Sequence, residues 1–395
     1  MLKFIKMKEI ATLTVGYVGN MAKQYVDRGV SFLRSLNIKP FYIDNNDIKF
    51  VSESFSNTIR KSILRKNDVV IVRTGIPGTC CVIPDEYDGC NCSDLVIVHP
   101  DTSKVNPMYL CAYINIWGQK QIQNNKVGAI QQHFNIRTAE EMLIALPDIQ
   151  QQNSIARIIE NLNDKMFINR KINDNLEQMA NQLYEYWFIQ FQFPNNDNNP
   201  YKLSGSPMVY NSLLKIEIPE GWRVKTVASL LDKVPNTLRV QNAEYKSSGN
   251  IPIVDQSASL IAGYTDNIDA LLSDEHGYIV FGDHTRVVKY IRFPFARGAD
   301  GTQILKSSLS CMPTELLYNT ITHIDLSNQG YARHFKFLKD SLVIVPNDDI
   351  AQKFAVQVSI WHEQQKQLLF ENMKLSKLRD WLLPMLMNGQ ATIDD

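Results

Sequence analysis

One stretch of this chain is written twice. Leu146-Pro147-Asp148 opens a run whose apolar residues fall at Ile155, Ile158, Leu162, Ile172, Leu176, Met179, Leu183 and Tyr186. Val345-Pro346-Asn347 opens a second run with Phe354, Trp361, Leu368, Leu375 and Leu382 in the matching places. In the first run these are heptad a and d positions, with Asn169 and Lys165 as the polar exceptions; in the second they are a positions, with Leu378 and Met385 at d. Each run reads as one long helix with a seam too apolar to stand alone in water, and two such seams most simply bury each other as an antiparallel pair. The alternative is that each seam packs onto its own globule. Ile155, Leu162, Asn169, Leu176 and Leu183, with Phe354, Trp361, Leu368, Leu375 and Leu382, are therefore expected to pair the helices or dock a partner. A polar a residue such as Asn169 fixes register at a cost in stability.

The repeat divides the 395 residues into two halves of ordinary domain size. The expected fold is α+β, with two mixed α/β domains separated by two long antiparallel helices that form a coiled coil, the halves related by a pseudo-twofold internal repeat. The expected borders are 1–147 for the first domain, 148–193 for the first helix, 194–217 for a linker, 218–346 for the second domain and 347–395 for the second helix. Residues 194–207 are so polar and turn-rich that they read as unpacked linker. Forty-one basic residues balance 41 acidic ones, so any contact with DNA must come from local patches. The sequence has no apolar run of about 18 residues and no signal peptide at its start, so the expected location is the cytoplasm, away from membranes. Of the six cysteines, Cys80-Cys81 and Cys90-x-Cys92 lack the spacing of a zinc knuckle, and buried, reduced thiols are expected instead, with no metal.

Short β-branched runs such as Asp68–Val72 and Asp94–Val98 read as strands. The turn Arg73-Thr74-Gly75-Ile76-Pro77-Gly78-Thr79 follows one of them, and its glycines let backbone approach a ligand; the Lys-Ser/Thr ending of a phosphate-binding P-loop is missing. Upstream lies a basic cluster, Arg60, Lys61, Arg65 and Lys66, which either lies solvated or touches phosphates. The second half carries Gly282-Asp283-His284-Thr285-Arg286, then Arg292 and Arg297-Gly298-Ala299-Asp300-Gly301-Thr302, a mixture suited to phosphate and base-edge contacts because Arg reads guanine bidentately. The halves close on related segments, one with Gln131, Gln132 and His133, the other with Arg333 and His334; the histidines read as packed or hydrogen-bonding rather than as general bases. Candidate DNA contacts are thus Arg60, Lys61, Arg73, Thr74, Gln131, Gln132, His133, His284, Arg286, Arg297, Arg333 and His334.

A search for enzyme chemistry finds little. Asp232 with Glu244-x-Lys246 is a loose metal-nuclease spacing without a strand to aim it, and Asn199-Pro200-Tyr201 lacks the second proline of the turn with which adenine methyltransferases hold their base. No catalytic residue is assigned. The readings that compete are a DNA-binding specificity module, a nuclease or methyltransferase in its own right, and a coiled-coil scaffold that does not touch DNA.

The chain resembles the specificity subunit of type I restriction-modification systems over essentially its full length. The resemblance is carried by Leu146-Pro147-Asp148-Ile149-Gln150-Gln151-Gln152, by Asn163-Asp164-Lys165 through Asn169-Arg170-Lys171-Ile172-Asn173 to Leu176-Glu177-Gln178-Met179-Ala180, and by Tyr186-Trp187-Phe188. Phe191-Gln192-Phe193-Pro194, Ile218-Pro219-x-Gly221-Trp222 and Leu383-Pro384-Met385-Leu386-Met387-Asn388-Gly389-Gln390 complete it. It implies two target recognition domains, each reading half of a split site in double-stranded DNA. It also implies helices that dock two modification subunits, which methylate adenine at N6, and restriction subunits that join to cleave. S-adenosylmethionine, ATP and Mg2+ are then used by those partners, with no cofactor and no catalysis in this chain. The first domain lacks the Pro-x-Gly-Trp opening of the second, and Gln357, Gln364 and Glu371 put polar residues at d positions of the second helix.

Overall fold

The computed structural model describes residues 3–118, 121, 134–327, 333–388 and 390. The chain forms two compact units, Met1–Ile168 with Glu371–Asp395, and Asn169–Phe370. Their borders fall inside the two long helices, Ile149–Tyr184 and Asp348–Met387, and not in the polar stretch around residue 200. Each unit therefore owns one part of each helix.

Both helices start the same way because their first-turn N–H groups need an acceptor. Asp148 Oδ1 accepts from Gln151 N at 2.8 Å, and Asn347 Oδ1 accepts from Ile350 N at 3.2 Å. Asp348 and Asp349 add negative charge to the second helix's first turn, where the helix dipole favours it.

In the first unit, strands Ala11–Val15, Leu95–Pro100, Val69–Val72 and Cys80–Val82 lie side by side in that order as an antiparallel sheet. Val69–Val72 is buried along its whole length, as a central strand covered on both faces must be. A second sheet of four short strands contains Val30–Leu33 and Lys49–Val51. Cys80, Cys81, Cys90, Cys92 and Cys111 are free and buried in these cores, and burial pushes the Cys90 thiol up to about 12. In the second unit the fully buried strand is Tyr278–Gly282, between Val288–Ile291 and Thr302–Leu305, beside a mixed sheet built on Ile251–Val254 and Phe295–Arg297.

The duplication reaches into the bonding. Strand Lys3–Lys6 pairs with Leu143–Leu146, and Arg223–Thr226 pairs with Leu342–Val345, both antiparallel. At the corner that follows, Met7 N donates to Met142 O in the first unit and Val227 N donates to Ser341 O in the second. The second pair occupies the same places in its strands as the first.

The helix seams differ from the expected a/d pattern on one flank. The a residues Ile155, Asn169 and Leu176, and Phe354 in the second helix, are buried, while Leu162, Leu183, Trp361, Leu368, Leu375 and Leu382 are half-buried. Their buried companions lie four residues on, at Ile159, Met166, Ala180, Val358, Arg379 and Leu386. Three residues on, Lys165, Met179, Tyr186, Gln357 and Gln364 are exposed. Positions three and four apart adjoin on a helix, so apolar residues on both, such as Ile158 and Ile159, leave the choice to the partner surface. The polar d residues Gln357 and Gln364 thus stand outside the seam. Polar residues inside it make bonds: in the first unit Asn372 Nδ2 donates to Met166 O and Arg379 to Asn163, and in the second Gln365 Nε2 donates to Asn173 O and Glu177 Oε2.

The segment expected to be linker is folded. Asn195 Oδ1 accepts from Asp197 N and Asn199 N, Tyr201 stacks on Phe193 at 4.5 Å, and Met208–Asn211 pairs with Ile216–Pro219 as a hairpin. Phe193 in turn stacks on Trp222, within a core that includes Phe188, Phe191 and Phe354. Aromatic stacking and Asx turns order a polar stretch that has no core of its own.

Candidate nucleic-acid interface

In the first unit Arg60 and Lys61 of the basic cluster sit exposed on a short turn, Arg60–Ser62, held from below by buried Asn91, whose Nδ2 donates to Ser62 Oγ. Lys66 pairs with Asp85 at 2.7 Å. Arg60, Lys61 and Arg65 form no ion pair among the described residues, so their charge is turned toward solvent. Arg73, at the end of the central strand, is half-buried and its Nε donates to Phe134 O at 3.3 Å. Thr74 donates to the Asp94 carboxylate, which also accepts from Ser35 Oγ at 2.8 Å. Asp94, in the left-handed region at φ 56°, thereby ties three loops together beneath the exposed tip Gly75-Ile76. Gln131, Gln132 and His133 lie outside the described residues.

In the second unit the turn after the central strand holds His284 and Arg286 exposed, Arg286 with a left-handed φ of 61° and Nη1 donating to Leu326 O. Its neighbour Asp283 is buried and caps the helix His334–Asp340: Oδ1 accepts from Phe335 N at 2.8 Å, and the main-chain oxygen accepts from His334 N at 3.0 Å. His334 is only 5% exposed, and its Nδ1 lies 3.0 Å from the same Asp283 oxygen. It is therefore an internal fastening rather than a surface reader, and Arg333, one residue earlier, is the exposed group there. Arg297 is half-buried, with Nε and Nη2 both donating to Thr302 O at 2.9 and 2.6 Å. Burial first, and then neighbouring Arg239, hold its guanidinium below the usual arginine value. Much of its donor capacity is thus spent inside the domain.

The two units share one further device. The residue just beyond the central strand accepts a main-chain bond from near the opening of a short helix: Arg73 O from Phe134 N at 3.2 Å, two residues before the helix Ile136–Glu140, and Asp283 O from His334 N, the first residue of His334–Asp340. Asp94, Asp283, Gln256 and Lys289 carry out much of the fastening, and none was singled out from sequence; Gly282, Gly298 and Gly301, crowded around the arginines, were the signal.

The loose carboxylate set does not assemble as a metal site. Lys246 pairs with Asp266 at 2.9 Å, and Glu244 Oε2 accepts from Gln241 N in its own turn. Among the described residues no helix is long and apolar enough to cross a membrane.

These features describe a protein of two mixed α/β units, each presenting basic residues on loops fastened around a buried strand. Residues 5–178 match the type I restriction modification DNA specificity domain family. The chain is 25% identical over 286 residues to the type I restriction enzyme MjaIX specificity subunit of Methanocaldococcus jannaschii, covering 65% of this chain and 62% of that protein. It is 26% identical over 183 residues to the HindI specificity subunit of Haemophilus influenzae, covering 42% of this chain and 39% of that protein. Both matches span less than two thirds of the relative's own length. The fold is similar to the crystal structure of a type I restriction-modification S subunit from M. genitalium, with a TM-score of 0.52 and 14% identity over 98% of this chain and 96% of that one. Over these stretches the chain is similar to type I restriction-modification specificity subunits.

Proposed function

We propose that this chain selects the DNA sequence for a type I restriction-modification complex, each unit reading one half of a bipartite site, and carries no catalysis itself. The observation that carries this reading is the duplicated frame, in which the same strand pairing and the same corner bond recur around different exposed side chains. A repeated frame with unlike loops is what two readers of two different half-sites require. Arg60 and Lys61, which form no ion pair, suit phosphate contacts, while Arg286, Arg333, His284 and the Arg73-Thr74 turn suit base edges.

The long helices are proposed to form an antiparallel coiled coil relating the two halves by a pseudo-twofold. In support, residue numbers rise on one helix as they fall on the other, from Arg379–Asn163 to Asn372–Met166 in the first unit. Outside the seam each unit exposes an apolar pair on the second helix, Leu378 and Trp381 in one and Val356 and Ile360 in the other. Two such pairs fit two modification subunits, one per unit. S-adenosylmethionine chemistry would belong to those subunits, and ATP and Mg2+ to restriction subunits. Titrating duplex DNA against the chain with and without its modification subunits tests the reading; sequence-independent binding in both cases would refute it.

A further inference from the structure

We propose that Gln256 is the positioning residue for reading the second half-site, because its amide fastens the turn carrying His284 and Arg286 to the turn Gly298-Ala299-Asp300-Gly301. The inference rests on the reading of this unit as a DNA-recognition domain. Gln256 stands two residues beyond the strand Ile251–Val254. Its Nε2 donates to Asp300 O at 2.9 Å, its Oε1 accepts from His284 N at 3.2 Å, and its main-chain oxygen accepts from Thr285 Oγ1 at 2.7 Å. The donor end of one amide holds one loop and the acceptor end holds the other, so neither loop can shift without breaking a bond.

The surroundings leave this side chain little freedom. A Cβ at Gly301 would stand 2.6 Å from Gln256 Nε2 and 2.8 Å from His284 Cδ2, and one at Gly282 would stand 2.9 Å from Gln256 Cβ. Glycine at both places lets backbone close on the amide, and Gly301 also has the left-handed φ of 83° that favours glycine. From the neighbouring strand, buried Lys289 donates to Asp255 O at 2.8 Å and Ser259 O at 2.5 Å, pinning the loop of Gln256 on both sides. The two arginine-bearing turns also touch directly, Asp283 N donating to Gly301 O at 2.7 Å.

Base reading is sensitive to such a fastening, since a bidentate contact needs its side chain held to about half an ångström. Loosening the turn of His284 and Arg286 should blur the second half-site and leave the first, read by the other unit, as it was. Gln256→Glu is the sharpest variant: it keeps the acceptor for His284 N and turns the donor toward Asp300 O into a second acceptor. Gln256→Ala removes both bonds.

The test is to express the full chain with its modification subunits and map N6-methyladenine across the genome for the parent, Gln256→Glu, Gln256→Ala and Thr285→Val. The expected result is a second half-site whose discrimination falls about tenfold at one or more positions in both Gln256 variants, with a smaller loss in Thr285→Val and an unchanged first half-site and spacer. An unchanged consensus in all three variants would overturn the inference. So would equal loss of methylation at every site, the mark of a merely structural residue. Thr285→Val leaves the Gln256 amide in place and removes only the hydroxyl's bonds to Gln256 O and from Val287 N on an exposed turn, so it reads the same property if a Gln256 variant folds poorly. Parent complexes that methylate without sequence preference would overturn the DNA-specificity reading, and this inference with it.

Discussion

Arg379 of the second long helix donates to Asn163 Oδ1 of the first at 3.1 Å, and its guanidinium lies 4.4 Å from the centre of the Phe41 ring. A largely buried cation thus joins both helices to the globular part of the first unit. Arg379→Ala should destabilise that unit by about 2 kcal/mol, from the lost charged hydrogen bond and cation–π contact. A double-mutant cycle with Asn163→Ala, read by denaturant unfolding, should show coupling of about 1 kcal/mol. Strict additivity would mean that the bond contributes nothing.

Base and phosphate contacts should separate in binding. Arg286→Ala is expected to cost about 1–3 kcal/mol on the target and relax one position of one half-site. Lys61→Ala should weaken all sequences alike and lower the slope of log affinity against log salt by about 1. Salt titrations on target and scrambled duplexes distinguish the two.

The outer faces of the second helix should dock partners independently. Trp381→Glu and Ile360→Glu introduce a charge where the side chains are 63% and 60% exposed, so neither should disturb the fold. Each is expected to lose one of two modification subunits, which native mass spectrometry of the purified complex would count. Retention of both subunits by both variants would place the docking surface elsewhere.

Helix length should set the spacer. Because each unit owns part of both helices, the matched change is a four-residue insertion after Ile168 and another after Phe370. Each adds about 6 Å and about 40° of rotation, enough to lengthen the unread spacer by roughly one or two base pairs. Two-residue insertions, which turn the helix by about 200°, should abolish bipartite recognition. Methylation mapping in cells reads both outcomes.

Lys289 should make stability depend on alkaline pH. Burial pushes its ammonium down to about 8 from 10.5. Below about pH 8 the folded and unfolded chains both hold the proton, and the folded one bears the buried charge. Between about 8 and 10.5 the unfolded chain holds more of it, so stability rises with pH across that window. Lys289→Met should remove the rise, measured as the difference in unfolding midpoints between the two proteins from pH 7.5 to 10.

The sequence alone determined what local periodicity and capping chemistry can encode: two long helices opening at Asp148 and Asn347, buried strands at Val69–Val72 and Leu95–Pro100, and arginines among glycines beyond a strand end. The tertiary structure decided everything that needs a distant partner. Ile158 and Ile159 are equally apolar, and only the surface opposite could bury Ile159 more deeply. His334 looked available until Asp283, from another segment, supplied its acceptor. The polar stretch near residue 200 looked unpacked until Phe193 gave Tyr201 a ring to stack on. Asp94 and Gln256 look like ordinary loop residues in sequence, because a side chain that fastens loops is defined by the carbonyls, amides and hydroxyls that folding brings to it and by no pattern along the chain.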